Sequence, residues 1–318
     1  MHNYFEQQLR NINWNIAPEE LYQPIGYTLE SGGKRIRPAL TLMACELFGG
    51  TCEEALPAAM AIEIFHNFTL LHDDVMDNAD MRRGYLTVHR KWDTNTAILS
   101  GDAMMIKAYE FLQQLPCEKL VAVLPIFTKT ALQVCEGQQY DINFEKCEKV
   151  CADNYFEMIR LKTAVLLAAA LKMGAIIGGA DENDAQNLYD FGIEIGIAFQ
   201  LRDDYLDTFG NEETFGKRIG GDILCGKKTF LLITALNNAD EKQRIEIKRI
   251  MTDKHVADTE KIAKITATYQ QLGVPAACEE QINTHYQQAL ADLKKIAGAK
   301  KTIQPFIDLA AKLMGRKQ

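Results

Sequence analysis

Proline and tryptophan are scarce in this chain, eight and two among 318 residues. That excludes collagen-like and proline-rich extended architectures. The 21 glycines follow no three-residue period and gather into no flexible linker. An excess of cations is missing too. Lys and Arg number 35 against 43 Asp and Glu, for a formal charge of −8. A nucleic-acid binder that works by bulk electrostatics is excluded on that balance. The opening residues, MHNYFEQQLRNINW, lack a basic start followed by an apolar core, so they do not read as a signal peptide. The most apolar run, 164–180, is short for a membrane span and carries Lys172 in its middle. It reads as a tightly packed core helix, with no transmembrane segment expected. The eight cysteines are scattered and form no C-x-x-C pair, which reads as reduced thiols in a cytoplasmic protein. Walker loops, G-x-G-x-x-G and Ser-His-Asp arrangements are absent, which argues against P-loop and dinucleotide chemistry.

What is present points to helices. Apolar residues make up 47%, ample for a large core. Few stretches alternate with period two, whereas steps of three and four recur throughout. Met60, Ile64, Phe65, Phe68 and Leu71 mark one such face in a helix predicted over 56–80. Further helices are predicted over 95–115, 120–138, 154–174, 182–208, 230–239 and 258–272, with one or two more over 276–314. No linker divides the chain, so residues 1–318 read as one all-α domain, a single large helical bundle.

One acidic pattern occurs twice. Asp73, Asp74 and Asp77 form D-D-x-x-D, and 130 residues later Asp203, Asp204 and Asp207 form it again. On a helix, the first and last aspartates of each set are i and i+4 and share a face. Like charges at that spacing destabilise a helix, and the apolar neighbours argue against a merely solvated surface. Oxygen-only donors favour Mg²⁺ over zinc or copper. Mg²⁺ takes one or two carboxylates and fills its shell with water and phosphate oxygens.

Basic residues cluster where a phosphate ligand would need them. Lys34 and Arg37 flank a glycine-rich turn, and Arg82 and Arg83 follow the first acidic set. Lys162 and Thr163 lie in a helical segment, while Lys217 and Lys227 follow the second set. Arg suits bidentate phosphate contacts and Lys point-charge contacts. Each alone is an ordinary surface charge. Their joint placement beside two candidate metal clusters implies a diphosphate ligand. His66, two turns before Asp73, shares its face.

These motifs together resemble the all-trans isoprenyl diphosphate synthases, the polyprenyl synthetase family. The resemblance runs from about Ile25 to Leu236 and rests on GGKRIRP at 32–38, EIFHNFTLLHDDVMDNADMRRG at 63–84, EGQQYDI at 136–142, KTA at 162–164, FQLRDDYLD at 199–207, GKRIGGD at 216–222 and GKKT at 226–229. It implies a helical bundle around a central catalytic pocket, a homodimer, Mg²⁺ as cofactor, and condensation of isopentenyl diphosphate with dimethylallyl, geranyl or farnesyl diphosphate. Asp73, Asp77 and Asp203 then look like direct metal ligands, supported by Asp74, Asp204 and Asp207. Lys34, Arg37, His66 and Arg83 look like the isopentenyl diphosphate site, and Arg82, Lys162 and Lys217 like the allylic one. Thr163, Gln200 and Gln139 look like polar groups near the reacting carbons, with Lys227 a cation behind them.

Two departures qualify the resemblance. Gly221 stands where the family often has Lys before the aspartate of the 216–222 loop, which removes one cation. The first acidic set has two intervening residues, not the four of bacterial farnesyl synthases. With the aromatic Phe68 five positions before Asp73 and the small Thr69 four before, that resembles synthases stopping at geranylgeranyl diphosphate, with farnesyl diphosphate second. Two other functions stay open on the sequence. A class I terpene cyclase shares D-D-x-x-D but normally carries a mixed second metal motif and needs no second diphosphate site. A catalytically silent partner subunit of the same fold usually loses one acidic set.

Overall fold

The computed structural model describes residues 1–210, 219–253 and 255–315. They are helical almost throughout: α1 (His2–Arg10), α2 (Glu19–Glu30), α3 (Ile36–Leu47), α4 (Cys52–Met76), α5 (Val88–Lys91), α6 (Thr94–Leu112), α7 (Cys117–Lys146), α8 (Ala152–Ile159), α9 (Val165–Gly178), α10 (Glu182–Phe209), α11 (Gly221–Cys225), α12 (Phe230–Asn238), α13 (Glu241–Thr252), α14 (Asp258–Gln271), α15 (Val274–Leu293) and α16 (Gln304–Met314). The expected helices are all there. The segment predicted over 154–174 is interrupted by a π-helical turn at Arg160–Ala164, and the C-terminal stretch resolves into two helices.

Strand structure among the described residues is one short hairpin, with Met81 opposite Leu86 and Arg82 opposite Tyr85. Its two-residue turn is Arg83-Gly84, both at positive φ, 54° and 83°. That matches the twist of a tight hairpin.

The chain divides into two compact units. The first comprises Met1–Ala131, Ala169–Tyr189 and Ile296–Thr302, and the second Leu132–Ala168, Asp190–Lys295 and Ile303–Gln318. In the first unit α4 starts at a capping box. Thr51 Oγ1 accepts from the Glu54 amide at 3.3 Å, and Glu54 Oε2 accepts from the Thr51 amide at 2.8 Å, so two orphan donors are met reciprocally. Two glycines of α9 are required by close backbone approach. A Cβ on Gly174 would stand 2.2 Å from the Thr41 carbonyl oxygen, and one on Gly178 2.2 Å from that of Cys45. Bare backbone lets α9 lie directly on α3. Two helical stretches, 117–146 and 152–178, have the length and apolarity of a membrane span. The apolar window of the second is 78% buried within the protein itself, as a core helix requires.

In the second unit Gly192 and Gly196 do the same for α10. Cβ atoms there would fall 2.5 Å and 2.7 Å from the Cα atoms of Ala168 and Ala164. Tyr155, Leu201, Tyr205, Phe230 and Ile265 are buried in one apolar cluster, which fixes the face of α10 that carries the second acidic set.

Candidate active site

In the first unit α4 delivers the acidic set at its C-terminal end. Asp74 is buried and accepts from Arg82 Nε at 2.7 Å, while Arg82 Nη2 lies 3.3 Å from Asp73 Oδ2. Asp77, the last of the set, caps the helix and is exposed. The hairpin therefore returns Arg82 onto the aspartates, and its expected place on an allylic diphosphate is taken by them in this structure. Burial, above all, pushes the Asp74 carboxyl up, and Arg82 opposes the shift.

The cations before the cluster form a second group in the same unit. Arg37 Nη1 lies 3.1 Å from His66 Nε2. A guanidinium has only donors, so His66 Nε2 accepts and its proton sits on Nδ1. Burial, then Arg37 and Arg83, holds His66 well below the ordinary histidine value, so the ring is neutral. Burial also draws Arg37 down to about 10, against the support of Glu63. It stays a cation near neutrality. Arg37 Nε is buried without a hydrogen-bond partner among the described residues, an unmet donor on a fixed cation. Arg83 donates from Nη1 to the Gly32 carbonyl, and Lys34 is exposed beside it.

In the second unit Lys162, Thr163, Gln200, Asp203, Asp204, Asp207 and Lys227 line one cavity of about 170 Å³. Asp204 sits at its base, accepting from Tyr155 Oη at 2.6 Å and from Gln200 Nε2 at 2.8 Å. Thr163 Oγ1 in turn donates to Gln200 Oε1 at 3.1 Å. The result is one hydrogen-bonded chain, Thr163–Gln200–Asp204–Tyr155. Burial first and Asp222 second push Asp204 up to about 8, with the Tyr155 and Gln200 hydrogen bonds opposing. Asp207 holds the neighbouring loop: its Oδ2 accepts from the Asp222 amide at 3.0 Å. A Cβ on Gly221 would lie 3.3 Å from Asp207 Oδ1. The position where a lysine is missing thus abuts the acidic set itself. Lys227 Nζ stands 3.7 Å from Asp222 Oδ1.

Lys162 and Thr163 project from the π-helical turn, a feature found often at functional sites. Lys162 Nζ donates to Asp141 Oδ2 at 2.6 Å. Gln139 is not brought to the cavity. It is exposed and bonds Asn143 along its own helix at 3.0 Å. The lining residue from that motif is Asp141. Gly137 explains why. A Cβ there would fall 2.3 Å from the Lys162 backbone nitrogen, so Gly137 marks the face of α7 against the π-turn. Asp141 is one turn on and shares that face, whereas Gln139 points well away from it. Gly137→Ala is accordingly expected to destabilise the protein by about 1–3 kcal/mol and to slow turnover by displacing Lys162. A thermal melt and an activity assay check it, and an unchanged melt contradicts the close approach. Lys217 lies outside the described residues.

The polyprenyl synthetase family profile matches residues 18–269 of this chain. The chain belongs to the polyprenyl synthetase family. It is 46% identical over 220 residues to a geranylgeranyl diphosphate synthase of Methanosarcina mazei, an alignment covering 69% of this chain and 68% of that one. It is 37% identical over 254 residues to a geranylfarnesyl diphosphate synthase of Natronomonas pharaonis, covering 74% and 73%. Among solved structures, a geranylgeranyl pyrophosphate synthase crystal structure superposes with a TM-score of 0.94 at 44% identity, covering 100% of this chain and 98% of that one. The all-α reading is therefore also the fold of this polyprenyl synthetase's structural relatives. Sequence reasoning missed Asp141, Tyr155 and Asp222. Asp141 left a signal in its helical spacing from a close-packed glycine and Asp222 as the aspartate ending the 216–222 motif, whereas Tyr155 left none.

Proposed function

We propose that this polyprenyl synthetase is a trans-prenyltransferase that condenses isopentenyl diphosphate with allylic diphosphates, yielding geranylgeranyl diphosphate first and farnesyl diphosphate second. The observation that carries the reading is the Arg37–His66 pair. It is a fixed cation with an unmet donor beside a neutral ring, and its hydrogen bonds are distinct from those by which Arg82 engages the acidic residues. A cyclase, with one diphosphate to hold, has no use for that second anion site. A silent subunit has no use for two complete acidic sets.

The acidic residues offer oxygen donors only, which suits a hard cation. Among the described residues no three metal-binding side chains converge on one point. That is consistent with Mg²⁺ completing its shell from water and diphosphate oxygens. Asp73 and Asp77 would hold it in the first unit and Asp203 in the second, with Asp74, Asp204 and Asp207 behind them. Bound there, Mg²⁺ supplies charge to the departing diphosphate. The chain's own residues do the rest. Lys34, Arg37, His66 and Arg83 hold isopentenyl diphosphate, with the neutral His66 keeping Arg37 aimed. Arg82, Lys162 and Lys217 bind the allylic diphosphate, and Lys162 is oriented by Asp141. Thr163 and Gln200 present a polar edge to the allylic carbon as its bond to diphosphate breaks. The isopentenyl double bond attacks that carbon and leaves a tertiary cation, and loss of a proton from the adjacent carbon to the departing diphosphate closes the new trans double bond.

Residues 1–318 act as one functional domain in this reading. A homodimer is part of it: Leu99 and Ile106 are 59% and 64% exposed on one face of α6, and Val121 is 67% exposed on α7. A second copy would cover such apolar surface. Among the described residues no cysteine is in a disulfide, and a reducing, cytoplasmic setting is part of the same reading.

The test is incubation with isopentenyl and allylic diphosphates, followed by chromatography of dephosphorylated products. Elongated trans products support the reading. Diphosphate release without isopentenyl incorporation favours a cyclase, and no turnover a silent subunit. In the same assay Arg37→Ala is expected to raise the apparent KM for isopentenyl diphosphate by about tenfold or more, leaving that for the allylic substrate nearly unchanged. Equal shifts for both substrates count against separate sites.

A further inference from the structure

Arg35 has no part in the reading above, although it sits between Lys34 and Arg37. Its side chain is turned into the protein and is only 3% exposed. Nε donates to Glu6 Oε1 at 2.7 Å, Nη1 to Glu63 Oε1 at 2.7 Å, and Nη2 to the Leu29 carbonyl at 2.5 Å. The three acceptors come from α1, α4 and α2. One guanidinium therefore ties three helices to the turn that precedes α3. Its planar fork is suited to such fixed, multidirectional bonding.

The backbone at Arg35 is left-handed, φ 46° and ψ 38°, at the start of α3. A non-glycine residue adopts that conformation only when its surroundings enforce it. Here the enforcement is visible. Glu63 is also buried and held by Asn67 Nδ2 at 3.0 Å, so it cannot move to follow a displaced Arg35. Three residues on from Glu63, one helical turn, His66 receives Arg37. The same face of α4 thus fixes Arg35 inward and Arg37 on the ring. Lys34, between Gly33 and Arg35, is left at the surface.

Glu6 is the least expected member. It belongs to the N-terminal helix, which carries none of the motifs. That helix is anchored by Phe5 and Leu9, but together with α2 and Arg35 it also borders an open cavity of about 820 Å³. Dense packing does not back the turn on that side, so the Glu6 carboxylate is the tie that does.

We infer that Arg35 is a positioning residue for isopentenyl diphosphate binding, and that Glu6, reaching in from the N-terminal helix, is the residue that sets it. The inference rests on the reading of the 32–37 turn as the isopentenyl diphosphate site. A turn fixed before the ligand arrives loses less freedom on binding. Releasing it should therefore weaken isopentenyl diphosphate binding and leave the allylic diphosphate untouched.

The experiment is steady-state kinetics of the full chain with Glu6→Ala and Glu6→Gln, varying each substrate in turn, with a thermal melt of each variant. Glu6 is partly exposed, so its variants avoid the folding risk of removing Arg35. Glu6→Ala is expected to raise KM for isopentenyl diphosphate by about five- to tenfold, with the allylic KM and the saturated kcat within about twofold, as lost preorganisation would do. Glu6→Gln keeps an acceptor for Arg35 Nε and should recover most of the loss. If wild type elongates allylic substrates but Glu6→Ala leaves the isopentenyl KM unchanged, or raises both KM values equally, this inference alone is overturned. The same holds if only the melting temperature falls. If wild type incorporates no isopentenyl diphosphate, the functional reading falls and takes the inference with it.

Discussion

Alanine at Asp73 or at Asp203 is expected to lower turnover by about three orders of magnitude or more, roughly 4 kcal/mol of lost transition-state stabilisation. On the proposed reading the slow step builds charge on a departing diphosphate, and the acidic sets hold the cations that meet it. Each substitution leaves the hydrogen bonds of the buried neighbouring aspartate in place. Arg82 keeps its 2.7 Å bond to Asp74 when Asp73 is gone. Asp204 keeps Tyr155 and Gln200 when Asp203 is gone. The loss should therefore show in turnover, not in the melting temperature. Removing divalent cations with a chelator should abolish wild-type activity, and adding Mg²⁺ should restore it. A variant within about tenfold of wild type, some 1.4 kcal/mol, removes its aspartate from the ligand set.

Much of this arrangement could be read before the structure, for physical reasons that differ by residue. The acidic sets were legible because like-charged pairs one turn apart destabilise a helix, and among apolar neighbours they call for a compensating cation. The helices themselves were legible from period and caps. The π-turn was not. Arg160–Ala164 is a single turn, too short for one extra residue to register as a change of period. Nor did the sequence tell which of Lys34, Arg35 and Arg37 faces inward. That depends on the left-handed backbone at Arg35, which local propensity disfavours and which Glu6 and Glu63 impose from far along the chain. Tyr155 left no trace either, because its hydrogen bond to Asp204 spans 49 residues of sequence. Asp141 lay in plain sight. The glycine four residues before it needs close approach, and helical geometry carries the aspartate to the same face.

Replacing Phe68 with alanine is expected to lengthen the product by one or more isoprene units. Phe68 is buried on α4, and its ring lies 5.4 Å from that of Phe65 and 4.8 Å from that of His72. Thr69 beside it is small and ties its hydroxyl to the His66 carbonyl at 2.8 Å, so it adds no bulk toward a growing chain. The row continues from Phe65 to Phe127 at 5.4 Å and on to Tyr109 at 5.1 Å. Those rings stay in place when Phe68 is lost, and they should keep the lengthening limited. Packing of this kind also supports the plainer account, in which Phe68 is only core. Two readouts separate the accounts. Loss of a buried ring costs roughly 3–5 kcal/mol where the site cannot collapse, and both accounts foresee a lower melting temperature. Only a pocket floor foresees a new product. Chromatography of dephosphorylated products from the folded variant decides between them: an unchanged distribution makes Phe68 a packing residue and moves the chain-length stop elsewhere.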